Sequence, residues 1–203
     1  MNEPLYTVGH SNRTLEEFLS LLKVHEIQAI ADVRSQPYSK MYPQFDREAL
    51  AASLKAVGIA YVFLGRELGA RSQDPSCYED GKVQFDRLAR AAVFKEGLER
   101  VHQGMKQFRV ALMCAEKEPL ACHRTILVAR ELSLQGVSIR HILSATESED
   151  HAQTTERLLR QLDMSEANLF MDKTELIDDA YRNQAQRIAY ERAESAVAAE
   201  ALE

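Results

Sequence analysis

The feature that most constrains the fold is an alternation of strand-like and helix-like segments over the first 145 residues. Short apolar runs typical of strands occupy residues 5–8, 27–33, 59–64, 109–114 and 137–143. Apolar residues recur at helical spacing in the stretches between them. Because parallel strands need crossover connections, this alternation predicts an α/β fold with a mostly parallel sheet of about five strands and helices on both faces.

Capping signals set where two of the helices begin and end. Thr14, with Glu17 three residues later, predicts a capping box at the start of the first helix. Asp46 is expected to cap the second helix, and Gly58 is expected to end it in the left-handed conformation. Residues 65–84 show no periodicity, so we expect a long loop there, of the kind that is usually functional or mobile.

The composition changes at about Thr146, where the density of apolar residues falls. We therefore expect residues 1–145 to form an α/β domain that carries the site, and residues 146–203 to form a polar helical extension. A long helix is predicted from Asp172 towards Ala199, with a modest apolar stripe. That stripe suits packing on the domain surface, and a homodimer contact and a frayed tail are the alternatives. The Ala- and Glu-rich end is expected to be disordered.

Charge and cysteine content exclude several classes of protein. The formal net charge of −6 argues against broad non-specific binding to DNA, although a local basic loop can still hold a phosphate. No apolar stretch of about 18 residues is present, so no membrane span is predicted. The first residues lack the basic and apolar regions of a signal peptide. Three cysteines are too few for a disulfide framework, so we expect a cytoplasmic protein with reduced thiols.

Polar side chains come directly after the first, second and fourth predicted strands. In open parallel sheets ligands bind beyond the carboxyl ends of the strands, so these side chains are expected to share one edge. The candidates for catalysis are His10, Asp32, Cys114, Glu116, Cys122 and His123. The candidates for substrate binding are Ser11, Arg13, Arg34, Ser35, Lys40 and Arg124.

The segment 114–124 places two thiols, an imidazole and a guanidinium between a strand and the start of a helix. The helix dipole, His123 and Arg124 are expected to lower the pKa of the Cys122 thiol. This combination suits anion binding, thiolate chemistry or both. The alternatives are structural: buried inert cysteines, a histidine bonded to the backbone, and an ion pair of Arg124 with an acidic residue of the same loop.

Residues 34–45 mix cations with aromatic side chains, since Arg34 and Lys40 are interleaved with tyrosines and a phenylalanine. Such a mixture suits stacking on a nucleobase with phosphate contacts nearby. A proline-containing surface loop has the same composition, so the segment is only supporting evidence.

Several common site motifs are absent. Cys114 and Cys122 are eight residues apart and no Cys-x-x-Cys pair exists, so the spacing fits no common structural zinc pattern and no metal is expected. A Walker-type loop, a full dinucleotide fingerprint and a Gly-x-Ser-x-Gly elbow are also missing, so no cofactor is expected. Arg124 follows Cys114 by ten residues and Cys122 by two, and neither spacing is that of a phosphatase loop.

Five stretches carry a resemblance to a known family, namely residues 7–13, 32–40, 61–69, 113–119 and 122–124. On these motifs, which lie within about residues 5–145, the chain resembles a bacterial and archaeal family catalogued as domain of unknown function 488. The resemblance implies a Rossmann-like α/β fold and supports the position of the site, but it implies no particular activity. The family usually has Leu-Gly-Gly where this chain has Leu68-Gly69-Ala70, which argues against a backbone role for the second glycine.

We therefore predict a cytosolic enzyme that acts on a phosphate-bearing small molecule, such as a nucleotide, or on a nucleic-acid end. A hydrolytic or glycosyl-transfer reaction fits the Cys/His/Arg site better than hydride transfer, because no dinucleotide fingerprint is present. Two alternatives stay open. One is a non-catalytic module that binds a nucleotide or similar anion, and the other is a thiol redox protein in which Cys114 and Cys122 form a reversible disulfide.

Overall fold

A computed structural model of the chain describes residues 3–164 and 172–192 and confirms the α/β class. The strands are β1 Leu5–Gly9, β2 Ala29–Asp32, β3 Ala60–Phe63, β4 Tyr78–Glu79, β5 Lys82–Val83, β6 Val110–Cys114, β7 Ile139–Ile142 and β8 Ser148–Asp150. The α-helices are α1 Leu15–Val24, α2 Arg47–Ala56, α3 Gly65–Leu68, α4 Phe85–Arg90, α5 Ala92–Met105, α6 Arg130–Leu134, α7 His151–Gln161 and α8 Lys173–Ile188. A π-helix, Arg124–Ala129, runs directly into α6.

The central sheet has six strands in the order β3-β2-β6-β1-β7-β8. The first five are parallel, as predicted, and β8 pairs antiparallel with β7. The sixth strand was missed because its sequence, Ser-Glu-Asp, has no apolar alternation. The strands β4 and β5 form a separate two-stranded hairpin.

Helices cover both faces of the sheet, which confirms the predicted layering. Alternate residues of a strand point to opposite faces, so Tyr6 and Val8 lie in one apolar cluster while Leu5 lies in the other. The first cluster joins the sheet to α1 and α2 through Phe18 and Leu50. The second and larger cluster joins it to α3, α5, the π-helix, α7 and α8.

Local capping predictions have mixed outcomes. The capping box is confirmed, since Thr14 Oγ1 accepts a hydrogen bond from Glu17 N at 3.1 Å and Glu17 Oε2 accepts one from Thr14 N at 2.8 Å. Gly58 follows α2 with a φ of +78°, as expected. Asp46 precedes α2, but its carboxylate accepts a hydrogen bond from Ser39 N instead of capping the helix.

The prediction of a long loop over residues 65–84 is wrong. That stretch contains α3, a 3₁₀ turn at Pro75–Cys77 and the β4–β5 hairpin. These elements are too short to show a periodicity in the sequence, and they pack through Leu68, Cys77 and Val83 into the larger apolar cluster.

The C-terminal part of the chain packs on the α/β core. Ala180 and Tyr181 of α8 are buried, so its apolar side contacts the domain as expected. The helix ends at Ile188 instead of continuing towards Ala199, and the Ala- and Glu-rich end lies outside the described residues. The division at residue 145 and the homodimer contact stay predictions. In the described part of the chain, no helix is long and apolar enough to cross a membrane.

A chain of buried polar side chains ties the C-terminal helices to the sheet. Thr7 of β1 contacts His141 Nδ1 at 2.8 Å, and His141 Nε2 lies 3.0 Å from His151 Nδ1. His151 Nε2 in turn lies 3.2 Å from the Tyr181 hydroxyl. Burial lowers the pKa of His151 to about 4 and also lowers that of His141. Both imidazoles are therefore neutral in the native protein at neutral pH.

These histidines predict a loss of stability in mild acid. Between pH 6.5 and about pH 4 the unfolded chain binds a proton at His151 that the folded chain does not, so stability falls as the pH falls through that range. The contribution of His151 is about 3 kcal/mol. We expect His151→Gln to flatten the pH dependence of urea unfolding by about that amount. The matched variant is His102→Gln, which lies outside this series of hydrogen-bonded side chains and should leave the pH dependence of stability unchanged. An equal pH dependence in both variants would contradict the role given to His151.

Candidate functional site

The connections of two neighbouring strands leave the sheet in opposite directions. From β2 the chain continues to β3, towards one edge of the sheet. From β6 it continues in the opposite direction, past β1, to β7. Such a reversal opens a crevice at the carboxyl ends of the strands. Asp32, the last residue of β2, pairs with Met113 of β6, and Gly9 at the end of β1 pairs with Cys114. The fold therefore brings the ends of these three strands together at one edge, as expected.

The chain beyond β6 lies directly against the end of β1. Backbone hydrogen bonds continue past the strands, from His10 N to Cys114 O at 3.0 Å and from Ser11 N to Ala115 O at 2.8 Å. A Cβ atom on Gly9 would lie 1.9 Å from the carbonyl oxygen of Glu116. Only glycine allows this approach, so Gly9 sets how closely the catalytic candidates of β1 and β6 meet.

Asp32, Arg34 and His10 form one buried network. Arg34 donates to both carboxylate oxygens of Asp32, with Nε at 2.9 Å from Oδ1 and Nη2 at 2.7 Å from Oδ2. Its Nη2 also donates to the Phe45 carbonyl, and its Nη1 lies 3.3 Å from His10 Nε2. The Tyr61 hydroxyl donates to Asp32 Oδ2 at 2.8 Å. Arg34 is thus held rigidly by its neighbours, and its charge is compensated by Asp32.

His10 is a neutral imidazole in this network. Its ring stacks on Phe45 with the ring centroids 4.2 Å apart, and Nδ1 donates to the Ser11 carbonyl at 2.9 Å. Burial lowers the pKa of His10 to about 4, and the neighbouring Arg34 charge acts in the same direction. His10 therefore accepts a hydrogen bond from Arg34 at neutral pH, and this favours a positioning role.

The thiols, an imidazole and a carboxylate meet at the end of β6. One donor atom each of Cys114, Cys122 and His123 lies within 4.8 Å of the others. Cys114 Sγ is 3.8 Å from His123 Nδ1, and Cys122 Sγ is 3.0 Å from Glu116 Oε2. His123 Nε2 donates to the Val33 carbonyl at 2.9 Å, so its Nδ1 faces the thiols.

Charge is distributed unequally between the two thiols. Burial opposes ionisation of Cys122, but the Cys114 hydrogen bond and the charges of Arg124 and His123 bring its pKa well below the usual value. The hydrogen bond to Cys122 and burial raise the pKa of Cys114. Burial and the neighbouring Cys122 raise the pKa of Glu116. The cluster thus holds its first negative charge on Cys122, as the sequence predicts.

Arg124 lies beneath this cluster instead of facing solvent. Its side chain is fully buried, with Nη1 donating to the Glu116 carbonyl at 2.6 Å and Nη2 to the Lys117 carbonyl at 3.2 Å. Among the described residues, none accepts a hydrogen bond from its Nε. Glu118 pairs with Arg157 instead. Arg124 therefore holds the loop after β6 in place, and its charge acts on Cys122.

Two adjoining cavities open at this edge of the sheet, and together we call them the rim cleft. The first, about 350 Å³, is lined by Cys114, Cys122 and His123. The second, about 450 Å³, is lined by His10 and Ser11. Both are lined by Arg34, Gln36, Tyr38, Ala115 and Glu116. Glu116 therefore borders both cavities and lies beside Cys122 of the thiol cluster.

The other residues that the sequence predicts for substrate binding lie at different positions relative to the rim cleft. Ser35 lines the first cavity and accepts a hydrogen bond from Arg71 N at 3.0 Å. Arg13 donates to the carbonyls of Gly9 and Leu143, which fixes the chain after β1. Lys40 is exposed and lines neither cavity. The structure thus groups most of the predicted residues and separates Lys40 from them.

Sequence reasoning missed two residues that close the first cavity. Arg71 donates to Gln36 Oε1 at 2.8 Å, and its guanidinium lies 4.3 Å from the ring centre of Tyr190. Tyr190 is held by its carbonyl, which accepts a hydrogen bond from Val83 N at 2.9 Å. This pair of a cation and an aromatic ring lies outside the mixed segment 34–45, and no local sequence signal reveals it.

Comparison with known proteins identifies the family but no activity. A family model described as Domain of unknown function DUF488 matches residues 14–130, which is more than half of the chain. The chain therefore belongs to that family, as the motifs predicted. No curated protein and no solved structure matches it. The matched region includes β2, β6 and the thiol cluster, whereas His10 and Tyr190 lie outside it.

The close approach at Gly9 gives a stability prediction. We expect Gly9→Ala to destabilise the protein by about 3 kcal/mol or more, because its Cβ would overlap the Glu116 carbonyl. Gly104→Ala is the matched control, since its Cβ would meet nothing closer than 3.6 Å within α5. That variant should gain up to about 1 kcal/mol. Equal denaturation midpoints for the two variants would contradict the described contact.

Proposed function

We propose that this member of the DUF488 family is an enzyme that acts on a phosphate-bearing small molecule or a nucleic-acid end in the rim cleft. The reaction is a hydrolysis or a glycosyl transfer. Cys114, Cys122 and His123 form the reactive centre, Glu116 moves the proton, and Arg34 with Arg71 supports the anionic group.

The observation that carries this proposal is the position of Glu116. Its Oε2 lies 3.0 Å from Cys122 Sγ, within hydrogen-bond distance, and Glu116 lines both cavities. A carboxyl group that touches a reactive side chain and also reaches the ligand space is placed to take a proton from one and give it to the other.

The charges around the rim cleft favour an anionic ligand. Among the described residues that line the rim cleft, the cations are Arg34, Arg71 and Lys117 and the one carboxylate is Glu116. Asp32 forms an ion pair with Arg34 and compensates its charge. The excess of positive charge at the rim cleft is therefore small, but it is opposite in sign to the net charge of −6. Arg71 presents a planar guanidinium, which matches the geometry of a phosphate.

Aromatic side chains beside these cations suit a substrate with a planar ring. Tyr38 is exposed at the mouth, and Tyr190 closes the opposite part of the first cavity. Tyrosine rings stack on nucleobases with little sequence preference. A nucleotide is therefore the substrate that we propose first. The proposal places the enzyme in the cytosol, where its thiols stay reduced.

A thiol redox function is the second candidate, because the sulfur atoms of Cys114 and Cys122 lie within 4.8 Å of each other. It requires a reversible disulfide between these two residues. Peptide mass spectrometry after exposure to a mild disulfide oxidant would find that linkage if redox chemistry is the function. The enzyme proposal expects turnover without it.

The proposal predicts that one substitution in the rim cleft weakens ligand binding and that another lowers turnover while binding is kept. A thermal-shift panel of mononucleotides, sugar phosphates and short oligonucleotides should identify a ligand, whose conversion mass spectrometry can follow. We expect Arg71→Ala to lower the affinity for that ligand about tenfold, because the substitution removes a charged hydrogen-bond donor. Glu116→Gln should keep binding but lower turnover by about 100-fold or more. The exposed Arg90→Ala is the control, and it should match the wild-type protein in both measurements.

Two outcomes would count against the enzyme. Ligand binding that survives in Glu116→Gln together with no turnover in any protein, including the wild type, would favour the non-catalytic binding module. Turnover that is unaffected by Glu116→Gln would remove the proton-transfer role.

A further inference from the structure

We propose that Cys114, Cys122 and His123 bind one zinc ion, with a fourth coordination position open to the rim cleft. This deepens the proposed function, because the ion would supply an electrophilic centre in the same cleft. Binding of the ion does not itself require that function to be correct. The sequence spacing excluded common structural zinc patterns, but it did not exclude a site that the fold assembles.

The separations between donor atoms fit a tetrahedral site. With zinc about 2.3 Å from sulfur and about 2.0 Å from nitrogen, a tetrahedral sulfur–nitrogen edge is about 3.5 Å and a sulfur–sulfur edge about 3.8 Å. Cys114 Sγ and His123 Nδ1 are 3.8 Å apart, and the three donor atoms all lie within 4.8 Å of one another. Shifts of up to about 1 Å between the donor atoms would complete the coordination.

His123 is oriented as a metal ligand requires. Its Nε2 donates to the Val33 carbonyl at 2.9 Å, which orients the ring and leaves Nδ1 as the nitrogen available to a metal ion. That nitrogen faces the two thiols. Histidines that bind metals almost always donate their second ring nitrogen to a carbonyl or carboxylate in this way.

The charges in and around the cluster balance with zinc present. Two thiolates neutralise the doubly charged ion, and soft sulfur donors with an imidazole favour zinc over hard cations. The buried Arg124 guanidinium stays compensated by the Glu116 and Lys117 carbonyls. Without an ion, the same thiols cannot both ionise in a buried site.

The fold explains why residues eight apart in sequence can share an ion. A 3₁₀ turn at Pro119–Ala121 reverses the chain after β6. Arg124 holds the loop by its contacts with the Glu116 and Lys117 carbonyls. Cys122 and His123 are thereby returned to Cys114. Three protein ligands leave one position open, and Glu116 lines the first cavity together with all three of them.

Metal titration of the whole 203-residue chain tests the site directly. The reduced, metal-free protein is titrated with Co²⁺ as a spectroscopic probe, and zinc retained after dialysis is measured by elemental analysis. We expect one ion per chain, with thiolate-to-cobalt charge-transfer absorption and the intense visible bands of tetrahedral cobalt. Cys114→Ala, Cys122→Ala and His123→Ala should each weaken metal binding by at least about 100-fold.

Cys77→Ala is the matched control, since Cys77 is buried elsewhere in the 3₁₀ turn Pro75–Cys77 and should leave the spectrum unchanged. The wild-type spectrum keeps the test valid if a variant fails to fold. A wild-type protein that retains no ion, or a folded Cys122→Ala variant that binds one as tightly as the wild type, overturns the site. Failure of the proposed function shows differently, as stoichiometric metal binding with neither ligand-induced shift nor turnover.

Discussion

The close packing of the loop after β6 against the end of β1 is the constraint on which the rest of the site depends. Gly9 leaves room for the Glu116 carbonyl, and Arg124 holds that carbonyl from below with its buried guanidinium. A buried arginine must be compensated, and here backbone carbonyls and the negatively charged thiol cluster provide the compensation. Because the loop is held at this point, Cys122 and His123 return to Cys114 and Glu116 turns towards the cleft.

A second buried charge network supports the other wall of the cleft. Asp32 and Arg34 compensate each other, while His10 and Tyr61 complete their hydrogen bonds. Removing either charged partner would leave an unpaired buried charge, so the network is rigid. Rigidity of this kind suits a binding wall, because little conformational entropy is lost when a ligand arrives. The cleft therefore has one rigid wall and one reactive wall, with Glu116 between them.

Much of this arrangement follows from the sequence because parallel strands bring their carboxyl ends to one edge. The periodicity located β1, β2 and β6, and the polar residues after them had to converge there. The sequence could not show that Arg124 faces carbonyl groups instead of a ligand, since that choice depends on distances across the loop. It also could not place Lys40 outside the cleft or Tyr190 beside it, because both depend on how loops pack. Similarly, β8 has a side-chain pattern too short to identify a strand.

The central claim is that two thiols distant in sequence meet beside an imidazole at the edge of the sheet. Phenylarsine oxide is a trivalent arsenical that bridges neighbouring thiols. Its reaction with the folded, reduced, metal-free protein tests directly whether the two thiols are adjacent. The account predicts one arsenical per chain, joined to both Cys114 and Cys122 in peptide mass spectrometry. An arsenical attached to Cys77, or no bridged pair at all, would contradict it.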